Sequence, residues 1–269
     1  EVNRNLQRTI GLPPEFPHAL HVDEVDVVVE SERPVIALPE APPDAVERRI
    51  AEHARTFIPD GATLQTGIGG VPSLIAQMLA DGPGGDYGIH SEMFTDGLMH
   101  LHRAGKVSNR KGLHDGLSIV TFALGTRALY DWLDGNEDVR FLPVDQVNEP
   151  GLIARNRRVI SINGALSIDL VGQVVADRIG EREHSGIGGH EDFVTGAAFS
   201  EGGRSLICLP ATATTPQGCI SRIVAEFPLG TCITTPRHQV DVVVTEFGSA
   251  ELAGKTAAER VSALVAIAH

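Results

Sequence analysis

No stretch of this sequence stays apolar for the roughly 18 residues that a membrane-crossing helix needs, so no membrane anchor is expected. Basic residues are scarce: 22 Lys and Arg stand against 35 Asp and Glu, a net charge of −13. A polyanionic partner would need its phosphates neutralised by clustered cations, so nucleic acid is not an expected ligand. Cysteine is nearly absent. Cys208, Cys219 and Cys232 are odd in number and more than ten residues apart, which makes neither a CxxC zinc pattern nor a disulfide framework. A reducing cytoplasm is the expected compartment, with no metal. The chain also lacks an initial Met, a basic n-region and an apolar h-region. Its opening, Glu1-Val2-Asn3-Arg4, therefore reads as the edge of a processed or truncated fragment and not as a signal peptide.

Several common catalytic signatures are missing as well. The glycines at 67, 69 and 70 do not complete GxGxxG, because Pro72 stands where the last glycine is needed. Residues 248–256 resemble a phosphate-wrapping loop, but five residues separate Gly248 from Gly254 where that motif needs four. There is no GxSxG elbow to present a nucleophilic serine. His100 and His102 are two apart on an expected helix and point about 200° apart, so they cannot share a metal and read as surface histidines. The basic run of Arg155, Arg157 and Arg158 reads as a solvated face.

What is present is a chain of 269 residues, 42% hydrophobic, enough to bury a sizeable core. Residues 1–43 are rich in proline and hold a single strand-like run at 25–30, which reads as a linker or a remnant of another domain. The body, residues 44–269, opens with Asp44 and Glu47 at capping-box spacing, followed by apolar Val46, Ile50 and Ala54 at helical spacing. Strand-like runs (62–66, 87–91, 117–124, 139–142) then alternate with helix-like ones (72–79, 96–104, 127–133). That order predicts an α/β fold with an open, mixed, largely parallel sheet and helices on both faces. Later runs (159–163, 166–171, 205–209, 241–245) lie closer together between Gly and Pro, so part of the sheet should be antiparallel. Residues 257–266 read as a final helix.

Two segments carry candidate chemistry. At 64–72 a strand, a glycine turn and a helix with Pro in its first turn would let main-chain amides approach an anion; the same pattern also serves as a plain tight turn. At 87–97 a strand ends in Glu92 just before a helix whose expected cap is Asp96. A carboxylate at the carboxyl end of a strand lies where ligands sit in open α/β sheets, although such acids also occur as solvated turn residues. The glycine-rich stretch 185–197 reads on its own as a flexible loop.

Taken together, the segments GIGGVP (67–72), GIHSEMFTDG (88–97), VNEP (147–150), ISINGALSIDLVGQV (160–174), SGIGGHEDFVTGA (185–197), SRIV (221–224) and VVVTEFGSAELAGK (242–255) resemble the acetyl-CoA hydrolase/transferase family. The GIHSEM form is most similar to its 4-hydroxybutyrate and butyrate CoA-transferase branch. The likeness covers the second of the family's two α/β domains and its connecting segment, so a missing N-terminal domain is the expected partner.

The resemblance implies a ping-pong CoA-transferase acting on an acyl-CoA and a short carboxylate such as 4-hydroxybutyrate, butyrate or acetate. Glu92 would pass through an acyl-glutamyl anhydride and a glutamyl-CoA thioester, with Asn148 and Gly189 as oxyanion donors. Gly67, Ile68, Gly69, Gly70, Val71, Gly188 and Gly189 would line the CoA, which serves as substrate and covalent intermediate with no tightly bound cofactor. His190 stands where the family usually has Gln. The alternatives are an acyl-CoA hydrolase using the same Glu, and an inactive half-molecule needing a partner domain. Self-association into a homo-oligomer through uncovered apolar surface is also expected.

Overall fold

The computed structural model describes residues 2–39, 42–67, 69–216 and 218–269. Its centre is a six-stranded sheet of β1 (Thr63–Thr66), β2 (Gly88–Ile89), β3 (Val159–Gly164), β4 (Arg204–Cys208), β5 (Val242–Thr245) and β6 (Gly248–Glu251). The spatial order is β6-β5-β4-β3-β1-β2. All neighbours are parallel except the β5/β6 hairpin; the sheet is mixed as expected, but the later runs β3, β4 and β5 pair in parallel with one another and the antiparallel member is β6, outside those runs. Beyond β2, His90 bridges Ile119, and Ser118–Val120 pairs in parallel with Val139–Phe141.

The chain thus runs outward from β1 on one side, then returns to lay β3, β4 and β5 on the other. The order reverses between β1 and β3, and ligands of open α/β sheets settle outside the carboxyl ends of strands at such a point. The 67–71 turn leaves β1 there.

Alternate residues of the parallel strands enter different cores, as the two-residue period requires. Ile160, Ile162, Leu206, Cys208, Val242 and Val244 pack with Ile50, Ala54 and Ile75 of helices α1 (Ala45–Arg55) and α2 (Gly70–Asp81). Ile207 and Val243 face the other way, toward Val194 and Leu264. With both faces covered, valine and isoleucine runs are the stable choice, and helices do lie on both faces. Helix α1 starts at the anticipated capping box: Asp44 Oδ1 accepts from Glu47 N at 2.8 Å, and Glu47 Oε2 accepts from Asp44 N at 3.0 Å.

The remaining helices are α3 (Asp96–Arg103), α4 (Arg127–Leu133), α5 (Val144–Val147), α6 (Pro150–Ile153), α7 (His190–Phe199) and α8 (Ala257–Val265). Three local expectations are corrected. Asp96 does not cap its own helix; Thr95 holds that position, and the Asp96 carboxylate accepts from Thr126 N at 2.9 Å and Thr126 Oγ1 at 2.5 Å, joining α3 to the start of α4. His102 is no surface residue: its Nε2 meets Ser118 Oγ at 2.9 Å beside Phe94 and Trp132, and burial pushes its pKa down to about 4. The run at 25–30 does not form one strand. Among the described residues pairing is confined to its end, where Glu30–Ser31 lies against Val2–Asn3 and Val29 O accepts from Val2 N at 2.8 Å. The apolar side chains of Val25, Val27, Val28 and Val29 stay exposed.

The rest of the leading segment straps the sheet edge. Phe141 N donates to Ile10 O at 2.8 Å, Arg8 pairs with Asp134, and Leu38 N donates to Gly125 O at 2.9 Å. The phosphate-loop likeness at 248–256 dissolves into the β6 hairpin, and Arg155, Arg157 and Arg158 are exposed as expected. Among the described residues no helix is long and apolar enough to cross a membrane.

Candidate active site

Glu92 is set by main-chain stitching on both sides of one strand end. His90 N donates to Leu64 O at 3.2 Å on the β1 side, and Ser91 N donates to Ile119 O at 3.0 Å on the other. Thr121 N and Phe122 N then both donate to the Glu92 carbonyl, at 2.9 and 3.1 Å. Two residues opposite one is the pattern of a bulge, which re-aims a side chain at the end of a ladder. It also splits the anticipated 117–124 strand: past the bulge, Met93–Phe94 pairs with Phe122–Ala123 in a separate ladder.

The half-buried Glu92 side chain meets the start of α7. Gly189 N donates to Glu92 Oε2 at 2.8 Å. Gly189 sits at the N-cap of α7, where the first N–H groups have no partner within the helix and a carboxylate is favoured by the helix dipole. A glycine is required there by contact and not by backbone angle, since φ is −80°. A Cβ on Gly189 would lie 2.3 Å from Glu92 Oε2 and 2.5 Å from Asn148 Nδ2. Glu92, Asn148 and Gly189, widely separated in sequence, are therefore brought into one cluster. Gly188, with φ of +59°, borders it: a Cβ there would sit 3.8 Å from Glu92 Oε2.

Asn148 is 7% exposed and its Oδ1 has no hydrogen-bond partner among the described residues. Its carrier, the end of α5, is held by His90, whose Nε2 meets Val147 O at 2.8 Å while Nδ1 faces Asn156 Nδ2 at 3.3 Å. A carbonyl on one nitrogen and an amide donor on the other fix the neutral Nε2–H tautomer, and burial keeps the ring neutral by lowering its pKa to about 4. One imidazole thus links the strand that carries Glu92 to the helix that carries Asn148. Asp192, in the first turn of α7, has its pKa raised by burial; the Asn148 side chain opposes that shift and the Glu92 charge adds to it.

The end of β1 is tied to the residue before Glu92 through Ser91, whose Oγ accepts from Thr66 N and donates to Thr66 O, both at 3.3 Å. Gly69, at φ +126°, is the N-cap of α2, a conformation that only glycine adopts readily. Gly70 and Val71 belong to the first turn of the helix itself, and Val71 leans on the core. Ile68 lies outside the described residues. A cavity of about 610 Å³ opens beside Gly69 and Gly70, with Ser73, Thr95, Asp96 and His100 also in its wall.

The sequence reading passed over His90 and Asp192, although both stand inside quoted motifs. The spacing of His90 and Glu92, two apart at a strand end, was the available signal for a shared face.

The sequence profile of the acetyl-CoA hydrolase/transferase C-terminal domain matches residues 125–269. The chain belongs to that family. It is 43% identical, over all of its length, to the 4-hydroxybutyrate coenzyme A transferase of Clostridium kluyveri, and covers 61% of that protein. It is 38% identical, again over its full length, to the butyryl-CoA:acetate CoA-transferase of Anaerostipes caccae, covering 60% of it. The solved structure of RipA from Yersinia pestis superposes on 99% of the chain with a TM-score of 0.91 and 39% identity, and the match spans 59% of RipA. The chain therefore spans less than two thirds of the length of these proteins.

Proposed function

We propose that Glu92 is the nucleophile of a CoA-transferase that moves CoA between an acyl-CoA and a short carboxylate of the 4-hydroxybutyrate, butyrate or acetate type. The observation that carries this reading is the 2.8 Å hydrogen bond from Gly189 N to Glu92 Oε2, made where Asn148 Nδ2 fills the space a side chain on the same glycine would take.

The chemistry balances without an added proton or redox partner. Glu92 Oε attacks the thioester carbon; a C–O bond forms, the C–S bond breaks and CoA leaves as thiolate, giving the mixed anhydride. The thiolate then attacks Cδ of Glu92, making a C–S bond and expelling the first carboxylate. A second carboxylate reverses the sequence. Two kinds of oxyanion arise. When the attacked carbon is Cδ of Glu92, negative charge builds on the glutamyl oxygen that stays, and Gly189 N–H already faces Oε2. When the attacked carbon is the substrate's, the oxygen needs donors from outside Glu92, for which Asn148 Nδ2 is the nearest side-chain candidate. Each such donor is worth about 3 to 4 kcal/mol. Carboxylate is a weak nucleophile in water, so the half-buried setting of Glu92 requires binding energy from the rest of CoA to offset its desolvation. Gly188 and Gly189, which border Glu92, are the surface available for that remainder; the cavity beside Gly69 and Gly70 does not include Glu92 in its wall.

Acyl-CoA hydrolysis uses the same Glu and the same donors, with water resolving the anhydride or thioester, and the family's description names both activities. Incubation of the natural full-length enzyme with acyl-CoA, followed by peptide mass spectrometry, should find CoA on Glu92 and none in Glu92→Ala. CoA on another peptide, or full activity in the variant, would sink the assignment. Added acetate or butyrate should divert CoA into a new acyl-CoA in place of free thiol; free CoA released at the same rate with and without them identifies a hydrolase. The greater length of the relatives favours a site completed by polypeptide outside these residues, in which case the 269-residue chain alone is inactive.

A further inference from the structure

The ten residues before Gly189, 179–188, are all exposed, with His184 N and Ser185 N donating to Asp177 O at 2.7 and 3.2 Å, while the body of α7 is seated by buried Phe193, Val194 and Ala197. The first two residues of α7 are in addition wired to a buried threonine on another loop. Thr235 is 0% exposed; its Oγ1 lies 2.9 Å from His190 Nε2 and 2.5 Å from Glu191 Oε1. The loop that bears it is itself fixed, because Val174 N donates to Thr235 O at 3.0 Å and Thr235 N returns a bond to Val174 O at 3.1 Å. The neighbouring Thr234 repeats the device, donating from its hydroxyl to Asp177 Oδ1 at 2.5 Å and accepting from Ala176 N at 2.9 Å. Val174–Val175 pairs in turn with Ser167–Asp169.

We propose that Thr235 is a positioning residue for CoA transfer: its hydroxyl, held between His190 and Glu191, pins the first turn of α7 and so aims Gly189 N–H at Glu92. The direction of the bonds follows from the groups. Glu191 as carboxylate only accepts, so the one hydroxyl proton of Thr235 goes to it. His190 must then donate from Nε2–H to Thr235 Oγ1, which requires the neutral ring. Burial keeps His190 in that state, with a pKa lowered to about 4. His190 therefore acts as a donor to Thr235 from the first turn of α7.

The inference rests on Glu92 being the acylated residue. Thr235→Val preserves shape and removes the hydroxyl. In the natural full-length enzyme it should lower kcat about 10- to 100-fold, since an oxyanion donor is displaced and not deleted, while KM for acyl-CoA stays within about threefold. Thr235→Ser should recover kcat to within about threefold of the parent. Deuterium exchange in peptides spanning Gly189 should quicken in the valine variant and not in the serine variant. An unchanged kcat, a loss confined to KM, or a serine variant as impaired as the valine one would overturn the proposal. If Thr235→Val does not fold, the decision passes to Glu191→Leu, which strips the hydroxyl of its acceptor and must show the same loss of kcat. A parent enzyme that never carries CoA on Glu92 refutes the nucleophile assignment instead, while the exchange measurement still judges the latch.

Discussion

Replacing Gly189 by alanine would place a methyl group 2.3 Å from Glu92 Oε2 and 2.5 Å from Asn148 Nδ2, both inside contact distance. The backbone would not object, because φ of −80° suits alanine as well as glycine. The neighbours that must yield are ends of side chains, so the substitution should displace Glu92 without unfolding α7. Displacement breaks the 2.8 Å bond from Gly189 N, a hydrogen bond to a charged group worth about 1.5 to 3 kcal/mol. It also withdraws the amide from the oxyanion formed at Glu92 Cδ, where loss of one donor costs roughly 100- to 1,000-fold in kcat. Gly189→Ala should therefore cut CoA transfer at least about 100-fold, and the lost bond should lower the unfolding free energy by up to about 3 kcal/mol. Steady-state transfer between butyryl-CoA and acetate, alongside urea unfolding, separates the two effects. Activity within about threefold of the parent would refute the reasoning, because it would mean that the methyl is accommodated without drawing Glu92 away from the amide.

Three further outcomes follow from other parts of the molecule. Asp44→Ala removes half of the capping box at α1 and should cost about 0.5 to 2 kcal/mol in urea unfolding while leaving kcat unchanged; an equal loss of activity would link α1 to the site. His90 is held neutral with a pKa near 4 against 6.5 in the unfolded chain, so the unfolded state binds more protons between those values. Stability should then fall as pH drops from about 6.5 to 4, by roughly 3 kcal/mol from this side chain, and His90→Asn should flatten the curve; a variant with the parent's pH dependence would count against the buried neutral ring. Val27→Thr with Val28→Lys, on exposed positions, should weaken self-association in light scattering; association unaffected by the pair would place the contact elsewhere.

The fold was legible wherever pattern and environment agree. The valine and isoleucine runs of β3, β4 and β5 are buried on both faces, so their composition alone marks them as central strands, and the Asp44 box marked the start of α1. The site was legible in part. Its members are quoted in the motifs, but the sequence carries no sign that Thr121 and Phe122 would share the Glu92 carbonyl, or that His90 would reach Val147. Such contacts depend on which elements become neighbours. Asp96 shows the same limit: expected as the cap of its own helix, it instead accepts from Thr126, the residue that caps the next one.

One pentapeptide isolates the cause. The chain reads as free of internal repeats, yet Val-Asp-Val-Val-Val occurs at 25–29 and again at 240–244. In the second copy Val240 is 1% exposed and Val242, Val243 and Val244 are 0% exposed, between parallel β4 and antiparallel β6. Its aspartate is engaged as well, with Asp241 Oδ2 accepting from Arg204 Nε at 2.7 Å. In the first copy the valines are 40 to 73% exposed and Asp26 is exposed with them. Identical letters have identical strand propensity, so propensity cannot account for the difference; the presence of a neighbouring strand to pair with does. Strand preference in such a run measures fit to a half-built sheet, and the copy at 240–244 has that sheet in β4. The same reasoning applies to Glu92. An acid at a strand end is a solvated turn residue or a nucleophile according to what lies opposite, and here the start of α7 lies opposite.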